Sequence, residues 1–389
     1  MRYLLHSLVR LYPLDWRKRY GAEFEALIED ARPGLGGAFD ILKGALIMQA
    51  TRNFVIAAAA LVVVLGVLSA MDVRNRTYTG YSKTANDMVK WVEPGSPAAA
   101  AGLQWGDVLK SVNGVAATDW KGLDDMHRPA VGATWPYVME RNGQTLNLQI
   151  SQAPLPANEV YWARAFTLLS LGGLGLTVWA YFSAPGAPTA ALAVLGLAFG
   201  AYFGGLPYFE SPAVRGIVGN FSNLGCFVLA CAAEAHFLLV FPSRRFLNRR
   251  WGTKILYAPV VILVLIAIWI AIFPTQPSSR GLLFLYDVYT PFMVVYWLLI
   301  VVLMVWRYAA ATAADRAAHG LGLLLAAVVV QFGPVLLYPI VNLVSPHYAT
   351  ELMSDRSLRI TLIPILFSIA AVRSARGKAL VGAVAAAPA

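Results

Sequence analysis

The sequence predicts an α-helical polytopic membrane protein of about eight transmembrane helices, one followed by seven, with a β-rich extracytoplasmic domain inserted after the first. Three observations carry this prediction. Hydrophobic residues make up 58% of the 389-residue chain and charged residues only 13%, and the mean hydropathy is +0.60, a composition at odds with two or three soluble domains. The apolar residues gather in runs close to the roughly 20 residues that a helix needs to cross a bilayer. One polar stretch, Met71–Gln152, is long enough to fold outside the membrane.

Five regions follow along the chain. They are a cytoplasmic amphipathic helical prefix (1–52), a first transmembrane helix (53–70), the extracytoplasmic domain (71–153), a seven-span transmembrane bundle (160–373) and a cytoplasmic tail (374–389). In the prefix, Leu4, Leu5, Leu8, Val9 and Leu11 form an apolar stripe at helical spacing. Asp15 is expected to cap a second amphipathic helix that sets Trp16, Tyr20, Phe24, Leu27 and Ile28 against Arg17, Lys18, Arg19, Glu23 and Glu25. Such helices lie on a membrane surface or dock under a bundle. The first residues lack the apolar core of a signal peptide, so the N-terminus is expected to be retained.

The apolar runs are Phe54–Ala70, Ala163–Phe182, Ala190–Leu206, Gly219–Phe241, Ile255–Phe273, Leu282–Trp306, Leu321–Val344 and Ile360–Val372. Orientation follows from the Lys and Arg residues of short loops, which resist translocation. The basic loop with Arg244, Arg245, Arg249 and Arg250 has no acidic residue. Placing it in the cytoplasm puts both termini there and the Met71–Val160 segment outside. The net charge of +10 sits beside apolar runs, where it anchors topology, so nucleic acid is not an expected partner. Cys226 and Cys231 point to different faces of one helix and are not expected to bond to each other.

Within Met71–Gln152 a mostly β pattern is expected. Met88–Val92 and Trp105–Val112 contain strands, and Trp135–Glu140 pairs with Thr145–Ile150 through Arg141-Asn142-Gly143-Gln144, a two-residue hairpin turn. Ser96-Pro97 starts a helical turn, and Asp119–His127 is a second helix capped by Thr118 or Asp119. Gly95 and Gly102 are read as positions where a Cβ would clash, Leu103 and Val108 as core, Asp107 as a cap for nearby amides, and Asn113-Gly114 as a turn.

The run from Val92-Glu93-Pro94-Gly95 through Ala98-Ala99-Ala100-Ala101-Gly102-Leu103 and Trp105-Gly106-Asp107-Val108 to Asn113-Gly114 resembles the bacterial PDZ signature. The resemblance implies an extended peptide, often a free C-terminus, bound as an extra strand, with backbone amides receiving the carboxylate. Carried onto this sequence, the groove candidates are the loop Tyr78-Thr79-Gly80-Tyr81, Met88 on the following strand, and Leu123, Met126 and His127 on the second helix. A groove filled by the chain's own linker, or serving only for docking, is the alternative.

Two further resemblances bear on function. Arg10–Phe24, with Phe39–Leu46, resembles the prefix segment of some bacterial permeases and implies a bacterial cytoplasmic (inner) membrane. The seven spans after the PDZ-like domain, with His236–Arg245 closing the third, look similar to the input half of bacterial PDZ-bearing sensor proteins. The 374–389 tail shows no kinase output, so a signal would pass to a separate membrane or cytoplasmic protein.

Ionisable groups inside a span default to functional hypotheses. Glu234 and His236 point about 200° apart on a helix, so they cannot form one local site. Glu234 is expected to face the bundle interior and pair with Asn220, Asn223, Gln331 or another donor. No zinc-protease His-Glu-x-x-His, intramembrane aspartyl or serine motif, or phosphate loop is present, and the five histidines are scattered. No enzyme activity, cofactor or metal is expected.

The leading expectation is therefore a non-enzymatic receptor, sensor or adaptor that binds a peptide or protein tail and relays to a partner, the lipid bilayer being its other contact and a homodimer an open arrangement. The alternatives are a transporter or transport-accessory protein using Glu234 and Gln331, and an envelope scaffold or regulator of proteolysis.

Overall fold

The computed structural model describes residues 2–30, 35–83, 87–242, 252–272, 278–344 and 362–385. It divides into two compact units, Met1–Leu61 and Val62–Ala389.

The first unit contains α1 (Arg2–Val9), α2 (Leu14–Asp30) and the start of the 38-residue α3 (Leu35–Asp72). Its core is built from Leu5, Val9, Tyr12, Ile28, Ile41 and Ala45, with Leu8, Trp16 and Phe24 packed against it; of the predicted stripes, Leu4, Leu11, Tyr20 and Leu27 are exposed instead. Tyr12 stacks on Trp16 at 4.1 Å. Since α2 already begins at Leu14, Asp15 lies inside the first turn and not at the capping position.

In the second unit a β domain lies between Thr77 and Pro154, and the other described elements are helices. The helices are α6 (Ala157–Ser183), α7 (Ala187–Phe203), α8 (Pro212–Asn220), α9 (Phe227–Val240), α10 (Gly252–Ile272), α11 (Ser278–Ala310), α12 (Ala313–His319), α13 (Leu321–Val344) and α14 (Leu362–Ala385). Each apolar run read from the sequence overlaps one or more of these helices or α3 in its described residues. The run beginning at Gly219 is interrupted by a π-helical turn at Phe221–Cys226. Leu192, Leu195, Phe237, Ile300, Met304 and Phe367 belong to one continuous buried core. Gly196 lets α7 approach α6, because a Cβ there would overlap Thr177.

Among the described residues, three helices are long and apolar enough to cross a membrane: Leu35–Asn75, Ala157–Ser183 and Phe292–Ala310. The pair Ala313–His319 and Leu321–Pro334, bent by 73°, makes a fourth if taken as one span. Ala187–Phe203, Phe227–Val240, Gly252–Ile266 and Ile363–Ala375 are apolar but shorter.

The β domain holds β1 (Thr77–Tyr78), β2 (Tyr81–Lys83), β3 (Val89–Val92), α4 (Pro97–Ala100), β4 (Val108–Val112), β5 (Val115–Ala116), α5 (Trp120–Asp125), β6 (Thr134–Arg141), β7 (Gln144–Ser151) and β8 (Ala153–Pro154). A four-stranded sheet runs β5-β4-β6-β7, while β2 pairs with β3 and β1 with β8. The hairpin has the predicted register, Arg141↔Gln144, with Asn142 and Gly143 at φ 51° and 80°. Asn and Gly tolerate that left-handed backbone, which is why this turn could be read from sequence.

Several local readings are corrected. Met88 makes an isolated bridge to Val108 and the ladder starts at Val89. Val108 is only half-buried, whereas Leu109 and Val112 are buried. Leu109 and Val112 are three residues apart, and a register shift between Leu109 and Ser111 breaks the strict alternation so that both face inward. Nothing lies within contact of a Cβ placed on Gly95 or Gly102; the positive φ of 76° and 84°, and not crowding, is what selects glycine there.

Candidate functional site

The loop before β2 is shaped by Gly80, whose φ of 77° suits glycine and whose missing Cβ leaves room for the Ser96 side chain. Ser96 then does two jobs: it caps α4 by accepting from the Ala99 amide at 3.2 Å, and its hydroxyl donates to the Gly80 carbonyl at 3.3 Å. The Gly80 carbonyl also accepts from the Glu93 amide at 2.8 Å, and the Thr79 carbonyl from the Ala98 amide at 2.9 Å. Both carbonyls of the loop are thus turned into the domain. Among the described residues, neither the Thr79 nor the Gly80 amide donates a hydrogen bond. A loop with its acceptors consumed and its donors unspent is suited to an anionic oxygen.

Beyond this loop β2 runs as an edge. It pairs with β3 on one side, Tyr81 opposite Val92, and among the described residues no strand pairs with its other side. Tyr81, Leu123 and Met126 all pack against the same buried core, which includes Val89, Leu103, Leu109, Met139 and Ile150. Tyr81 meets Tyr137 edge to face at 6.2 Å, and burial raises both phenols above the usual tyrosine range. Tyr78 lies in β1 and donates to the Glu93 carboxylate; burial first, and this bond second, push its phenol up to about 12.

The wall segment that carries Leu123 is shorter than the sequence implied. α5 is capped by Asp119, which accepts from the Gly122 amide at 2.9 Å, and ends at Asp125. Met126 is already extended, at ψ 137°. His127 therefore lies past the helix, not on it. Its exposed ring is 3.6 Å from the Glu210 carboxylate, and it lines a separate cleft of about 500 Å³ with Asp72, Asn75, Arg128, Tyr208 and Glu210.

That cleft marks a junction no sequence pattern announced. The Arg128 guanidinium donates to both Asp72 oxygens at 2.7 and 2.8 Å, and its backbone amide donates to the Tyr208 hydroxyl at 2.9 Å. Arg215, on α8, donates to the Tyr208 hydroxyl at 2.5 Å and to the Met126 carbonyl at 3.3 Å. Both guanidiniums also face the Tyr208 ring, at 4.3 and 4.8 Å from its centroid. The sequence signal was limited to two arginines and a tyrosine outside the apolar runs.

A second unforeseen anchor braces the core. Asp107 does cap the Gln104 amide, at 2.9 Å, but it also takes a two-pronged hydrogen bond from Arg141 at 2.6 and 2.8 Å, and Arg141 reaches the Gly102 carbonyl at 2.7 Å. Burial would raise the Asp107 carboxyl; the bonds from Arg141 and the Gln104 amide outweigh it and hold the group below its ordinary value.

In the bundle, the Gln331 amide donates to buried Glu234 at 3.4 Å, and one further oxygen on each side chain has no partner among the described residues. His236 points elsewhere, 3.1 Å from the Tyr257 hydroxyl, so the two do not share a site. Both cysteines are free and buried. The described residues contain no group of three or more side chains able to hold a metal. Arg244, Arg245, Arg249 and Arg250 lie outside the described residues.

Residues 88–128 match the PDZ domain family, a stretch that takes in β3, α4, β4, β5 and α5 and ends on Arg128. The chain thus joins a PDZ domain to a set of apolar helices. No curated protein matches it. The family match begins after the Tyr78–Tyr81 loop, which is assigned to the domain by its hydrogen bonds to Glu93, Ser96 and Ala98.

Proposed function

We propose that this chain is a non-enzymatic membrane receptor or adaptor whose PDZ domain captures the C-terminal tail of a peptide or protein. The observation that carries the reading is the unpaired edge of β2 beside a loop whose Thr79 and Gly80 amides donate to nothing among the described residues. An incoming strand would continue the β3-β2 ladder, its carboxylate would take the loop amides, and its last apolar side chain would rest on Tyr81, Leu123 and Met126. The bilayer is the second partner, through the apolar helices. On the charge distribution of the loops, the PDZ domain is extracytoplasmic in a bacterial inner membrane and both termini are cytoplasmic. A bound tail is relayed to a separate protein.

Fluorescent decapeptides ending in Leu, Val or Phe test this with the full chain in lipid nanodiscs. Binding that disappears when the terminal carboxylate is amidated is expected; equal binding of acid and amide would sink the reading.

A transport role is favoured by one different observation, the incompletely satisfied Glu234–Gln331 pair in the bundle core. Buried polar groups of this kind are costly and are kept where a pathway needs them. Loss of substrate flux in Glu234→Gln with tail binding intact would select that reading.

A further inference from the structure

We propose that Tyr208 and Arg215, which belong to the helical part of the chain, are positioning residues of the PDZ groove. They hold the groove wall, so that wall and the 204–215 segment move as one element. The inference rests on the tail-binding reading for its meaning but not for its geometry.

The wall is α5 with Met126, and it is weak by itself. A helix of six residues forms very few internal hydrogen bonds, and helices this short are not stable without outside support. Its N-terminus is capped by Asp119. Its C-terminal end is held from outside: Arg215 takes the Met126 carbonyl, and the Arg128 amide is taken by Tyr208. The Tyr208 hydroxyl serves both sides of the junction, accepting from Arg128 of the PDZ domain and from Arg215 of α8. The Tyr208 ring is faced by the two guanidiniums, an attraction that does not depend on the hydroxyl. Arg215 is itself aimed by the Phe209 carbonyl, at 3.1 Å. Asp72, at the end of α3, completes the set by gripping Arg128.

These contacts make the wall and the 204–215 segment share hydrogen bonds that neither can keep if the other shifts. A tail that presses on Leu123 and Met126 therefore works directly against the Arg215 and Tyr208 bonds. By linkage, a repacking of α8 that changes the groove's affinity by some factor is itself shifted by that factor when the tail binds.

The test compares wild type, Tyr208→Phe and Arg215→Gln as full chains in nanodiscs, by hydrogen exchange and by binding of the same decapeptides. Tyr208→Phe keeps the ring and loses only the hydroxyl, so it guards against simple misfolding. Exchange in 120–128 is expected to rise roughly tenfold in each variant while the β6–β7 hairpin stays unchanged. Peptide is expected to bind several-fold more weakly. Unchanged exchange in 120–128, or an equal rise in the hairpin, overturns the positioning role. If wild type binds none of the peptides, the tail-binding reading fails, and the exchange data still decide whether Tyr208 and Arg215 hold the wall.

Discussion

Arg128 closes on Asp72 through two hydrogen bonds of 2.7 and 2.8 Å, joining the last residue of the PDZ match to the last residue of the long α3 helix. Both side chains are mostly shielded, at 23% and 17% exposure, which lifts the pair above the negligible worth of an exposed ion pair. The domain is therefore fastened at this point and does not hang free on its chain ends.

A double-mutant cycle measures that fastening. Asp72→Asn and Arg128→Gln are each expected to speed local hydrogen exchange around 126–131, and the double variant to be little worse than either. A coupling of about 1–2 kcal/mol is expected from the shielded two-pronged geometry. Strict additivity would show that the pair contributes nothing.

Acid should loosen the PDZ core through Asp107. Its carboxyl titrates lower in the folded protein than in the unfolded chain, so its stabilisation is fully present above the unfolded value of about 4 and fades as pH falls through the folded value. At neutral pH, Asp107→Asn is expected to cost the domain about 3 kcal/mol, since it leaves Arg141 with a neutral partner. The deficit should shrink toward zero in strong acid. Exchange protection of β4 and β6, corrected for intrinsic rates, reports it at each pH.

Gly80→Ala is expected to abolish tail binding, because the new methyl group would overlap Ser96 and sit on a left-handed backbone. Ser96→Ala should be milder, losing the α4 cap for about 1 kcal/mol. If Gly80→Ala bound decapeptides as wild type does, the loop would not be the carboxylate receiver.

In the bundle, Glu234→Gln should leave thermal stability equal or higher, as it removes a carboxyl that is costly to bury. Gln331→Leu should lower stability by about 2–3 kcal/mol, because it strips Glu234 of the donor it has among the described residues. Thermal unfolding in detergent separates them, and the reverse order would mean that Glu234 is held by something other than Gln331.

Topology can be read with single cysteines at Gln144, in the PDZ hairpin, and Ala314, on α12, after Cys226 and Cys231 are replaced by Ala. An impermeant maleimide added outside intact cells should label the first and spare the second. Labelling of Ala314→Cys alone would invert the proposed orientation.

Elements governed by short-range rules were legible in the sequence. The Asn142-Gly143 turn, the Ser96-Pro97 helix start, the Asn113-Gly114 turn and the Asp107 cap each depend on a few neighbouring residues, and each stands where it was read. The convergence of Leu5, Val9 and Ile28 on one core followed from helical period alone. Errors came where a local cue had two physical readings or hid an irregularity: glycine at 95 and 102 signals positive φ as readily as crowding, and in β4, which carries a register shift between Leu109 and Ser111, Leu109 is the buried residue in place of Val108.

By itself, then, the sequence determined that the chain carries a PDZ domain and long apolar helices, because residue type, period and turn chemistry specify both locally. Only the tertiary structure decided what braces the PDZ domain and ties it to the helices. Arg141 reaching Asp107, Arg128 gripping Asp72, and the Arg128 amide bonded to Tyr208 all join residues far apart in the chain. Such pairings are chosen by how the elements pack and by the need of shielded charges for partners, and neither is written in the spacing of residues along the chain.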